Sequence, residues 1–126
     1  MIRRQAISRV GATVLALMLA LAAGGRAQAD QPITVVINVD VLPDRVADGK
    51  AMLRQDGQRS RGDAGFVSWQ LLQRTDHDNH FAIIEAWRSM ADFDRHVGSE
   101  YARATRDTLQ PLLAAPFDER MFRAVD

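Results

Sequence analysis

The chain has no cysteine among its 126 residues, which excludes a disulfide framework, thiolate catalysis and a lipidated N-terminal cysteine together. Aromatic residues are few, at 6%, and no basic stripe interleaves with them, so the pattern of a nucleic-acid-binding surface is missing. There is no internal repeat and no long low-complexity tract, and the length accommodates one small domain. A single long apolar run occurs, Val10 to Ala23, and it is shorter than the roughly 20 apolar residues that cross a bilayer.

That run has a recognisable setting. Arg3, Arg4 and Arg9 precede it and Ala27-Gln28-Ala29 follows it, so residues 1–29 read as a secretory signal peptide cleaved after Ala29. The expected mature domain, residues 30–126, is then secreted or periplasmic, with no stable membrane insertion. Gln5-Ala6-Ile7 after the arginine pair fits the general secretory route better than the twin-arginine route. Cleavage removes four arginines and no acid, which leaves 12 basic against 16 acidic side chains. A domain of this size buries only about 60–70% of its unfolded surface, so a second copy would help to complete its core.

Beyond the leader, hydrophobic periodicity sets out the elements. In Thr34 to Val41, alternate residues Val35, Ile37, Val39 and Val41 form an apolar strand face, which leaves Asn38 in mid-strand on the other face. Pro43-Asp44 starts a helix whose buried line is Val46, Gly49, Lys50 and Leu53, and which is expected to fray near Gly57. Arg54, Arg59 and Arg61 resemble a basic cluster, but Asp56 and Asp63 interrupt it, and it reads as a solvated surface. Gly65 to Arg74 is a second strand with Val67, Trp69 and Leu71 on one face. A polar turn, Thr75 to Asn79, returns the chain as an antiparallel hairpin into Phe81 to Trp87. There Phe81, Ile83, Glu85 and Trp87 share a face, so Glu85 sits in an apolar row.

Ser89 then caps a helix with buried stripe Met90, Phe93 and Val97, which Gly98 ends. Ser99 caps another, with inner residues Tyr101, Ala102, Thr105 and Leu109, which stops near Gln110 before Pro111. Phe117 to Val125 is the last strand. The order βαββαβ predicts an α+β, ferredoxin-like sandwich with helices on one sheet face. Its bare face must meet something, and a homodimer closing two such faces into an α/β barrel satisfies it.

Three segments, GFVSWQLLQR, FAIIEAWRSMADFDRHV and QPLLAAPFDERMF, resemble the antibiotic biosynthesis monooxygenase family of dimeric α/β barrels over roughly residues 33–125. The resemblance implies a barrel-shaped homodimer and, for some members, oxygenation of phenolic polyketides or quinols by O2 without metal, flavin or haem. A haem-degrading branch of the fold uses a strand-one asparagine, which Asn38 matches. The branch's tryptophan position holds His96, and its iron-ligand position falls at Arg106, which cannot coordinate iron because it stays protonated.

Cofactor-free oxygenation requires a base, a donor that steadies a phenolate, and a dry pocket. His96 is the expected base because its unperturbed pKa lies nearest neutrality. Asn38 is the expected donor to the substrate oxygen. Trp87 and Trp69 are candidate walls, Tyr101 and Arg88 candidate groups for orienting a small aromatic substrate. Glu85 is expected to be structural, hydrogen-bonded in the core or across the dimer, since an unpaired buried carboxylate is costly. No metal site and no cofactor are expected. The competing reading is a non-catalytic module that holds a small ligand in the same cavity. The catalytic reading requires Asn38 and His96 to face one cavity.

Overall fold

A computed structural model describes residues 31–126. The expected signal peptide and its cleavage point lie outside the described residues. Strand β1 (Ile33–Asp40) leads through a 3-10 turn (Pro43–Arg45) into helix α1 (Val46–Ser60). The hairpin β2 (Phe66–Gln73) and β3 (His80–Trp87) follows, then α2 (Met90–Val97), α3 (Glu100–Leu109), a 3-10 turn (Gln110–Leu112) and β4 (Asp118–Phe122). The strands form one antiparallel sheet in the order β2-β3-β1-β4. This is the expected ferredoxin-like α+β fold.

The core lies between the helices and one sheet face. Val39, Val41, Leu53, Phe81, Ile83, Leu109 and Leu112 pack at one end, and Ile33, Val35, Trp87 and Phe93 at the other. Burial of such side chains contributes about 1.5–3 kcal/mol each. Ser89 accepts a bond from the Asp92 backbone N–H and Ser99 one from that of Ala102, so both expected caps form.

Four details differ from the sequence expectation. Helix α1 does not fray at Gly57 but continues to Ser60, because Gly57 is where the Trp69 ring rests on the helix; any side chain there would collide with the indole. In β2 a bulge breaks the pairing between Phe66 and Ser68, so Phe66 opposite Trp87 and Trp69 opposite Glu85 point to the same side. Val67, which simple alternation assigns to the Trp69 face, is instead 54% exposed. On α2, His96 is buried along with Phe93, whereas Val97 is only half-buried. Strand β4 is shorter than expected and ends at Phe122.

Candidate functional site

The site grows from the helix-facing row of β3. Glu85 lies in mid-strand, 3% exposed, flanked by Val35 on β1 and Trp69 on β2. With apolar neighbours on both sides, burial pushes its carboxyl up to about 7, while the Trp87 indole N–H pulls the other way. That indole nonetheless finds no acceptor at hydrogen-bond geometry. No other side-chain hydrogen bond to Glu85 occurs among the described residues. Glu85 also lies on the helix side of the sheet, away from the bare face that would meet a second copy.

Above Glu85, α2 carries His96. Its Nδ1 is 2.7 Å from Asp63 Oδ2, and its ring stacks on Trp87 with centroids 4.5 Å apart. Tyr101 at the start of α3 donates its hydroxyl to the same Asp63 oxygen at 2.6 Å, with the hydroxyl 3.0 Å from His96 Nδ1. A carboxylate can only accept, so Nδ1 carries the proton and Nε2 is left as the basic nitrogen. Burial first, and the bond to Asp63 second, push the Tyr101 hydroxyl well above the usual phenol range. Tyr101 therefore stays protonated and holds Asp63 in place.

Asp63 depends in turn on a tight corner. The Asp63 carbonyl accepts from Phe66 N–H, and Gly65 adopts φ +83°, where a side chain would collide with the Asp92 carboxyl. Gly65 also accepts the Arg88 backbone N–H at 2.8 Å, which ties the corner to the end of β3.

Together these elements enclose a cavity of about 50 Å³ lined by Glu85, His96, Asp56, Thr105, Arg106 and Glu119 over apolar Ile37, Ile83, Leu53 and Phe117. Burial raises the Asp56 carboxyl, with His96 and Arg106 acting against the rise. Arg106 donates to Glu119 at 3.0 Å and is committed to that pair. The cavity thus joins a histidine with a free basic nitrogen to two carboxyls whose charged forms are disfavoured. Such a set can take a proton from a weak acid or return one.

Of the residues nominated from sequence, only Glu85 and His96 line this cavity. Trp87 lies fully buried beneath His96 and orients the ring instead of forming a wall. Tyr101 reaches the site through Asp63. Trp69 packs against Gly57 and lines a separate groove at the β2 edge. Arg88 is exposed. Asn38 is exposed on the bare face, opposite Ala82, and the structure does not bring it and His96 to one cavity. Alternation along β1 dictates this, since Ile37, its neighbour, is the residue that reaches the cavity.

Sequence reasoning passed over Asp63, Asp56 and Glu119. Asp63 had one local sign, its place in a Gly-Asp-Ala-Gly turn. The other two became visible only when helix and strand were docked.

The pattern of the antibiotic biosynthesis monooxygenase family matches residues 32–108. An uncharacterised Synechocystis protein is 29% identical over 98 residues, covering 78% of this chain and 67% of its own length. Rv0793 from Mycobacterium tuberculosis superposes with a TM-score of 0.72 at 24% identity, over 76% of this chain and 97% of its own. A variant of SnoaB, a cofactor-independent oxygenase from Streptomyces nogalater, gives 0.67 at 21% identity, over 76% and 95%. At such identities the solved structures speak for the fold.

Proposed function

The chain belongs to the antibiotic biosynthesis monooxygenase family, and from that premise we propose that it oxidises a quinol or phenolic, polyketide-type aromatic with O2, without metal, flavin or haem. The observation that carries this reading is the pairing of His96, its Nδ1 locked on Asp63, with Glu85, its carboxyl near 7, in one cavity largely closed to water. The kinship to a cofactor-independent oxygenase in fold supports it.

In this mechanism His96 Nε2 takes the proton of the substrate hydroxyl, and the resulting phenolate gives electrons to O2. At a ring methylene, one oxygen atom then becomes a carbonyl and the other leaves as water with the two methylene hydrogens, so substrate and O2 balance ketone and water. Glu85, whose carboxyl near 7 keeps a protonated fraction at neutrality, supplies a proton to the departing oxygen. The cavity is smaller than the roughly 150 Å³ that encloses a benzene ring. Only the reacting edge of the substrate and O2 occupy it, and the remaining rings lie in its mouth beside Arg106 and Glu119.

Two further parts belong to the proposal. Export of the domain follows from residues 1–29. A homodimer follows from the bare sheet face, where Val36, Ala82, Ile84 and Ala86 are half-buried, with exposed Leu72 and Phe122 at the flanks.

The test is oxygen consumption by protein lacking residues 1–29, with hydroquinones and hydroxyanthrones, after metal chelation and against the unaided rate. We expect turnover that falls roughly 100-fold in His96→Gln and stays within about twofold in Asn38→Ala. Rates no better than buffer across the panel, with saturable ligand binding, would instead establish the non-catalytic module.

A further inference from the structure

We propose that the groove between α1 and the free edge of β2 is a second binding site, and that it takes a small aromatic anion of the arenecarboxylate class. In sequence, Asp56 and Asp63 interrupt the basic run of Arg54, Arg59 and Arg61. At about 100° per residue, Lys50 and Arg54 on α1 and Arg61, the helical-conformation cap that follows it, fall within about 40° of arc, whereas Asp56 and Arg59 turn to the far flank. Their destinations agree with this: Asp56 lines the central cavity, and Arg59 lies over the Tyr101 ring, 5.9 Å from its centroid. Asp63 is held by His96 and Tyr101. The acids that interrupt the run in sequence are thus elsewhere in space.

What remains is a groove of about 430 Å³ whose lining holds Lys50, Arg54 and Arg61 and no acid. Arg45, Arg74, Arg95, Arg106 and Arg120 each meet a carboxylate, but Arg54 and Arg61 form no ion pair among the described residues. Lys50 donates only to the neutral Gln73 amide, at 3.1 Å. Three cations without an ion pair among the described residues therefore line this one groove.

The floor is apolar, made by Trp69, Leu71 and Phe81. An aromatic ring fits against this floor while its carboxylate reaches the two guanidinium groups, a pairing that favours a planar anion over a neutral ring. The volume lies within the roughly 300–1,000 Å³ usual for small-molecule sites. No residue lining the groove also lines the central cavity, so the two sites are distinct, although Trp69 of the groove is the cross-strand neighbour of Glu85.

The experiment is an NMR titration of the purified protein with 2-naphthoate, followed at the two indole N–H resonances, with 2-naphthamide as the neutral counterpart. We expect saturable movement of the Trp69 resonance and a dissociation constant at least about tenfold weaker for the amide and for the Arg54→Gln/Arg61→Gln double variant. Both arginines are exposed, so the double variant keeps the fold. Glu85→Gln, which alters the central cavity, should leave naphthoate affinity unchanged. Equal binding of the amide, undiminished binding by the double variant, movement confined to Trp87, or saturation by an acidic peptide alone would each overturn the assignment.

Discussion

Strands β1 and β3 give alternate residues to two different surroundings. On the helix side, Glu85 is almost wholly buried and its carboxyl rises to about 7, and it shares a cavity with His96, which Asp63 holds. On the other side, one residue away in each strand, Asn38 is exposed and Ile84 half-buried, and no helix covers them. Both sides carry a polar group in mid-strand among apolar neighbours. Only the side that withholds water changes the chemistry of its group, so burial, more than residue type, makes a strand position reactive here.

That contrast predicts unequal costs of substitution. The largest belongs to Trp87, which is fully buried and packs against Phe66, Phe93 and His96. Trp87→Ala should lower the unfolding free energy by about 3–5 kcal/mol in urea denaturation. A loss below about 1 kcal/mol would mean that the helix side is not the rigid one.

Next comes Glu85, whose effect depends on pH. Its folded value of about 7 lies above the ordinary 4.5, so between these values the folded chain keeps a proton that the unfolded chain releases. Stability should therefore fall as pH rises from about 4.5 through about 7, by about 3 kcal/mol, then level off. Glu85→Gln should flatten the profile, and an equally steep profile in the variant would assign the slope to other groups.

The smallest effect on the folded chain is expected on the bare face. Ile84→Asp should change stability per chain by no more than about 0.5 kcal/mol while abolishing the proposed dimer in sedimentation velocity. A wild-type monomer at high concentration would remove the role assigned to that face.

The same contrast explains what could be read from the sequence. Alternation in β1 and β3, the Ser89 and Ser99 caps and the hairpin turn are local features, and they yielded the order of elements along the chain and the apolar face of the sheet. Glu85 was visible as a carboxylate in an apolar strand row, and His96 as the side chain whose ordinary pKa suits a base at neutrality. Asp63 was not, because its role rests on a turn that brings it 33 positions along the chain to His96. Asp56 was hidden by helical geometry, which turns it away from Arg54, the basic residue two positions before it. Asn38 was overvalued for a related reason: strand alternation identifies two faces, but which of them encloses a cavity depends on helices docking from afar.

The bulge in β2 has a consequence for descent. Val67 is the extra residue, and the pairs Phe66 with Trp87 and Ser68 with Ala86 stand on either side of it. A chain lacking that residue could keep every other pair in register and every ring of the inner face in place. Two such chains would share one sheet while their sequences fell out of step by a single position across β2. Comparison by residue matching alone would then score as divergence what is a single deletion, and kinship in this stretch is better judged by which side chains share a face.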